Sequence, residues 1–183
     1  MKCRSFLLDN KNLKRFDKDM RFRKLPNTDT HNCFACSPKN PYGLHMVLES
    51  DDHIVMSRIL LPEHFAGWGQ VVHGGILATI LDEIMGWSGI YLLKQFTLTQ
   101  TMHIEFLKPA YIGDGLTATG RVIESDGKRN AKIEGLVTND SEQVCARSTA
   151  DFKTLSPKLA IRLGLITEAQ VQDFFVPLFK EHS

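Results

Sequence analysis

Cysteine is scarce in this chain: four in 183 residues, at positions 3, 33, 36 and 145. Spacing that irregular supplies no disulfide framework of the secreted kind, so a reduced, cytoplasmic setting is expected. Cys33-x-x-Cys36 is the one close pair, and neither a second pair nor a His-x-x-x-His follows at usable spacing. A structural zinc site takes four ligands. The Pro-, Asn- and Gly-rich stretch 37–43 instead reads as a turn entering a strand, and no metal is expected. Long apolar runs are missing too. After Arg4 there is only Phe6-Leu7-Leu8, and Asp82-Glu83 interrupts the one long apolar segment. Neither a signal peptide nor a membrane span is therefore expected. Aromatic residues do not interleave with basic ones, which argues against a nucleic-acid surface.

The net charge of +1 conceals an asymmetry. Of 22 Lys/Arg and 21 Asp/Glu, nine and three fall within residues 1–24. Residues 1–30 thus read as a basic N-terminal arm on a mildly acidic body. Leu7, Leu8, Leu13, Phe16 and Met20 could line a short helix there, one too poorly patterned for a helix-turn-helix module.

What is present is a glycine-punctuated loop running into a long helical segment, His64 to Tyr91. No proline occurs from Gly75 to Leu92, and Ile76, Leu77, Ile80, Leu81, Ile84, Met85, Trp87, Ile90 and Tyr91 wrap more than half a helix surface. Such a helix is expected to be buried. A second stripe, Gly75, Thr79, Asp82, Gly86 and Gly89, is small and carries one carboxylate. It invites close approach by a backbone or a ligand. A helix opening on Gly74-Gly75 also presents free N–H groups and the positive end of its dipole. Donors followed by a carboxylate two turns later suggest acyl chemistry, with Asp82 as base or nucleophile. The plainer alternative is a structural Asp82 paired to a neighbouring hydroxyl. Glu83 lies ~100° further round the helix, so the two carboxylates are not expected to share a pocket.

Around this helix the chain reads as strands. Leu44–Glu49 and Ile54–Leu61 are expected to pair across Ser50-Asp51-Asp52-His53. After the helix come Phe96–Leu107, Leu116–Glu124, Ala131–Thr138 and Gln143–Leu155, with a clear hairpin signal at Ser125-Asp126-Gly127-Lys128. One long helix within a run of antiparallel strands predicts an α+β fold, the sheet wrapped around the helix. Ser156-Pro157 and Thr167-Glu-Ala-Gln170 carry helix-start signals. They define a C-terminal helical tail, 156–183, expected to pack on the sheet through Phe174, Phe175 and Phe179 rather than to form an acyl lid.

His73-Gly74-Gly75, with an acid nine residues after the histidine, resembles the hotdog-fold acyl-CoA thioesterases of the phenylacetate-degradation (PaaI-like) type and the wider thioesterase superfamily. The likeness spans residues 31–155, with Cys33-Phe-Ala-Cys-Ser-Pro-Lys-Asn-Pro-Tyr-Gly-Leu44 before the helix and His103-Ile-Glu-Phe-Leu-Lys-Pro109 after it. It implies a hotdog domain hydrolysing fatty or aromatic acyl-CoA, with no cofactor beyond the CoA of the substrate. It also implies a homodimer or a dimer of dimers. Asp82 takes the place of the family's acid, and His73 a supporting one. Gly74 and Gly75 supply the oxyanion donors. Thr99, ten residues before Pro109, takes the place of the family's Ser or Thr, although Thr97 and Thr101 share its side of a regular strand. Members often carry Asn or Gln six residues before the histidine; here Gly67 stands there, with Gln70 as the replacement. Lys108, Lys128 and Arg129 are candidates for the CoA phosphates, with solvated surface charge as the alternative for each. Gly74 and Asp82 lie roughly 12 Å apart along the helix, so a site shared between two chains is expected. Two rivals remain: a non-catalytic acyl-CoA-binding hotdog protein, and a hydratase or dehydratase. The latter needs a His five residues after its Asp, where this chain has Trp87.

Overall fold

The computed structural model describes residues 22–182. Seven antiparallel strands form one sheet: β1 (Arg23–Lys24), β2 (Glu49–Ser50), β3 (Val55–Leu60), β4 (Phe96–Phe106), β5 (Gly115–Ser125), β6 (Asn130–Asn139) and β7 (Val144–Leu155). Their spatial order is β1-β2-β3-β5-β6-β7-β4. One long helix, α1 (Gly74–Leu93), lies in the curve of the sheet and packs against β3, β4, β5, β6 and β7. The wrapped-helix arrangement expected from the sequence is the one observed.

Helix α1 is apolar nearly all round, and nine of its 20 residues are buried. Ile80, Leu81, Ile84 and Met85 are wholly enclosed. Each such side chain contributes about 2 kcal/mol through the water it sheds. By length and mean hydropathy (1.4) the segment would pass as a membrane span despite Asp82-Glu83, but here the sheet covers it. A row of small residues makes that closeness attainable. Gly120 on β5 pairs with Gly135 on β6, which pairs with Ser148 on β7. A Cβ at Gly120 would lie 2.7 Å from the Ile84 carbonyl oxygen and collide with Ser88 Oγ. Ser88 itself turns its hydroxyl back to that carbonyl at 2.7 Å. Backbone therefore meets backbone at this point.

The expected strand over 44–49 is cut to its last residue plus Ser50. The alternation is real, since Leu44, Met46 and Leu48 are buried between exposed His45 and Val47. Its partners are loop residues instead of a neighbouring strand: Leu44 and Met46 donate to the Phe34 and Ala35 carbonyls at 2.9 Å each. This stretch anchors the Cys33–Cys36 turn.

The basic arm is described only from residue 22; its expected helix lies outside the described residues. The remainder is not a free appendage. Arg23–Lys24 adds a short edge strand, and Leu25 is buried and donates to the Leu48 carbonyl at 2.8 Å. Arg23 grips Asp52 through two hydrogen bonds (2.9 and 2.6 Å), and the Tyr91 hydroxyl donates to the same carboxylate at 2.6 Å. The end of α1 is thereby tied to the β2–β3 turn.

The C-terminal tail begins as its signals indicate. Ser156 caps α2 (Pro157–Arg162), and Thr167 with Gln170 forms a capping box at α3 (Glu168–Gln170). The chain continues through a wide turn at Val171–Phe175 into a 3₁₀ segment at Pro177–His182. Phe175 stacks on Phe96 of β4 at 4.7 Å, and Phe174 meets Trp87 edge-on at 5.2 Å.

Replacing Gly120 by Ala is expected to destabilise the protein by about 1–3 kcal/mol, because a backbone carbonyl cannot yield to the added methyl. In urea unfolding the midpoint should fall with an unchanged slope. An unshifted midpoint would mean that the helix can lift off the sheet without cost.

Candidate active site

The loop before α1 is built by its own backbone. Gly67 N–H donates to the Val71 carbonyl at 2.8 Å, Val72 to Ala110 at 2.9 Å, and His73 to Phe65 at 3.0 Å. Gly69 takes a positive φ of 56° at the tip. These bonds deliver His73 to the N-cap of α1, where its Nδ1 accepts the Gly75 N–H at 2.9 Å. With Nδ1 accepting, a neutral ring carries its proton on Nε2. Gly75 was expected as an oxyanion donor, but here its N–H is taken by the imidazole. Gly74 is the better placed donor, with only the Phe106 ring, 3.6 Å away, near the position its Cβ would occupy.

The small-residue stripe of α1 faces β4. Thr97 Oγ1 donates to the Gly86 carbonyl at 3.2 Å, and Gly89 leaves room for the Thr97 side chain. Thr99 Oγ1 donates to Asp82 Oδ1 at 2.7 Å. Period two would put Thr101 on this side as well, but β4 carries a bulge between Thr99 and Thr101. The extra residue reverses the alternation beyond it. Thr101 accordingly bonds Asp151 on β7, at 2.9 Å. Of the three threonines, Thr99 is the one hydrogen-bonded to Asp82. Asp82 is only half-buried, because its stripe meets β4, the edge strand of the sheet among the described residues.

Asp82 opens on a cavity of about 320 Å³. Trp87, Phe96, Phe152 and Phe174 supply aromatic walls, and Ile166, Gln170 and Phe174 come from the C-terminal tail. That tail therefore packs on the fold and walls the cavity at once. Glu83 lines the same cavity, contrary to the expectation that 100° of helix would separate it from Asp82. The cavity wraps round the helix, with Thr99 on one flank and the Cys33–Cys36 turn on the other. Trp87 Nε1 donates to Glu83 Oε1 at 2.9 Å, and Cys33 Sγ lies 3.6 Å from both carboxylate oxygens. Burial, with the Cys33 sulfur beside it, pushes the Glu83 carboxyl up to about 7. The Cys36 thiol donates to Cys33, whose pKa is drawn down by that bond and by the N–H groups of Cys36 and Ala35. Cys36 is pushed up in turn, by the same bond and by burial. Sequence reasoning dismissed this group for want of a second Cys pair. The third member comes from a distant helix that only folding brings near.

The candidate binding residues are not gathered. Gln70, Lys108, Lys128 and Arg129 are all exposed. Lys108 follows the end of β4, two residues after Phe106, whose ring lies beside Gly74. Lys128 and Arg129 sit in the β5–β6 hairpin, where the Arg129 carbonyl accepts from Thr154, opposite Thr97 at the start of β4. At ~3.3 Å per residue of strand the two groups lie on the order of 35 Å apart, so in one chain they cannot hold one phosphate cluster. Gly67 packs against His73, whose Cα would lie 3.2 Å from an added Cβ.

Residues 69–146 match the family model of the thioesterase superfamily. Solved structures agree in fold. The Escherichia coli PaaI protein from the phenylacetic acid degradation operon aligns at 19% identity and TM-score 0.56, over 62% of this chain and 81% of that one. The chain has the hotdog fold, and residues 69–146 within it resemble the thioesterase superfamily. A Streptococcus mutans protein solved bound to acetyl CoA aligns with this hotdog domain at 25% identity and TM-score 0.53, over 57% of this chain and 82% of that one. Zebrafish thioesterase superfamily member 2 aligns at 22% and 0.57, over 64% and 89%. No curated protein matched the chain.

The cavity can be watched through its tryptophan. Trp68 is 91% exposed and Trp87 only 3%, so Trp68→Phe should leave one blue-shifted emitter. Adding Phe174→Ala should shift it to the red and cost about 2 kcal/mol. Unchanged emission would show that the tail does not seal this wall.

Proposed function

We propose that this hotdog domain hydrolyses acyl-CoA thioesters, with Asp82 as the group that activates water. The observation carrying this reading is the 2.7 Å Thr99–Asp82 hydrogen bond at the mouth of an aromatic-walled cavity. Thr99 holds Oδ1, which leaves Oδ2 to take a proton from water as the water oxygen attacks the thioester carbon. The carbonyl electrons move onto oxygen, where the Gly74 N–H and the positive helix end stabilise them. Collapse breaks the carbon–sulfur bond. The leaving CoA thiolate takes the proton back from Asp82, giving free acid and CoA. An S. mutans relative bound to acetyl CoA supports the substrate class. Aromatic and aliphatic acyl groups both suit the walls, and the reduced, cytoplasmic setting expected from the cysteine pattern accords with a CoA ester.

On this reading the working unit is a homodimer, or a dimer of such dimers. Gly74 and Asp82 are roughly 12 Å apart along one helix, too far to flank a single carbon. Strand β4 is an edge strand of 11 residues with Leu98 and Phe106 exposed. Long exposed edges of this kind pair with another strand. A second copy laid antiparallel along β4 would bring its Gly74 toward Asp82 and would cover the half-buried carboxylate. A non-catalytic acyl-CoA-binding protein is the alternative, favoured by the His73 cap on the Gly75 N–H.

Free-thiol release from a panel of aliphatic and aromatic acyl-CoAs separates the two. Turnover is expected in the native protein, with a 10²- to 10⁴-fold lower kcat in Asp82→Asn. Thr99→Val should lose about tenfold, one hydrogen bond's worth, and Thr99→Ser should recover it. Stoichiometric binding without turnover would establish the alternative.

The shared site has its own test. Gly74→Pro removes the donor at a helix position that accepts proline, and His73 already has the extended backbone (φ −61°, ψ 132°) that a following proline requires. Mixed with Asp82→Asn chains, it should regain part of the lost activity, because one of the two sites in each heterodimer is intact. Inactive heterodimers of proven composition would rule out sharing.

A further inference from the structure

We propose that Cys33, Cys36 and Glu83 form a binding site for one thiophilic divalent cation of the zinc class. The two sulfurs and a carboxylate oxygen all lie within 4.8 Å of one another. A tetrahedral metal with sulfur at about 2.3 Å and oxygen at about 2.1 Å spans sulfur–oxygen edges of about 3.6 Å. Cys33 Sγ already stands 3.6 Å from both Glu83 oxygens. With every pair of donors already within 4.8 Å, none needs to close by more than about 1.2 Å to reach such an edge.

The surroundings hold these donors as supporting groups hold metal ligands. The turn through Phe34 and Ala35 aims the Ala35 and Cys36 N–H groups at the Cys33 sulfur. Asn27 Nδ2 donates to the Cys36 carbonyl at 2.8 Å, and Cys33 N–H donates to His31 Nδ1 at 3.3 Å. Trp87 fixes Glu83 Oε1, and both carboxylate oxygens stand 3.6 Å from the Cys33 sulfur. Among the described residues no basic side chain forms an ion pair with Glu83. A divalent cation would supply the missing positive charge, and two thiolates with one carboxylate select zinc or cobalt over magnesium or calcium. His31 borders the same cavity, but its Nδ1 accepts from Cys33 and its Nε2 bonds Asn27 at 2.9 Å. The fourth position is therefore left to water, or to a ligand entering the cavity beside Asp82.

This inference stands apart from thioester hydrolysis, and its test does not use turnover. Full-length protein, reduced, stripped with chelator and desalted, is titrated with Co²⁺ and then Zn²⁺. The expected result is one Co²⁺ per chain with thiolate-to-cobalt charge-transfer absorption, displaced by Zn²⁺ and indifferent to Mg²⁺. Cys33→Ser and Cys36→Ser should each weaken Zn²⁺ affinity at least 100-fold, and Glu83→Gln about tenfold, with circular dichroism confirming the fold of each. The native titration decides the matter even if a variant misfolds. Failure to take up Co²⁺ after reduction, uptake without charge transfer, or undiminished binding in the folded cysteine variants would each overturn the proposal.

Discussion

Everything in this protein depends on how closely α1 sits on the sheet. Gly120, Gly135 and Ser148 lie side by side across β5, β6 and β7, and that row of missing bulk lets helix backbone touch sheet backbone. A deeper seat encloses Ile80, Leu81, Ile84 and Met85 completely. It also fixes the rotation of the helix. Once those four side chains point into the sheet, the small-residue stripe can only face β4, and the next flank can only face the Cys33–Cys36 turn.

Two consecutive acids inherit different surroundings from that one rotation. Asp82 meets a threonine hydroxyl at the sheet edge and stays half-exposed. Glu83, one residue on, meets two sulfurs and an indole N–H, and burial raises its pKa. Their cavity is common, but the chemistry available to each is not. Hydroxyl-bonded and half-exposed, Asp82 suits proton transfer. Glu83 is clamped and short of positive charge, which suits coordination.

The closing elements come from the ends of the described chain. Phe174 and Phe175 bring the C-terminal tail against Trp87 and Phe96, and Arg23 ties the N-terminal edge to Asp52 at the β2–β3 turn. The cavity itself is lined by segments far apart in sequence, from Thr30 to Phe174, with the helix as their shared wall.

Local chemistry alone determined much of this. The apolar periodicity of 76–91, the alternation in the later strands, the glycine and Asx turns and the caps at Ser156 and Thr167 all act within a few residues of themselves. Each survived folding within a residue or two. His73-Gly74-Gly75 and Asp82 could be found the same way, because a helix start and a phase along a helix are local properties. Tertiary structure decided what depends on partners. It stopped the strand at 44–48, where a loop took the hydrogen bonds, and it used a bulge after Thr99 to turn Thr101 away. It spent the Gly75 N–H on His73 and kept Lys108 far from Arg129. It also brought Glu83 to a cysteine pair that looked incomplete in sequence. Coordination, like edge pairing, is a meeting of distant residues, and no short-range pattern encodes which distant residues will meet.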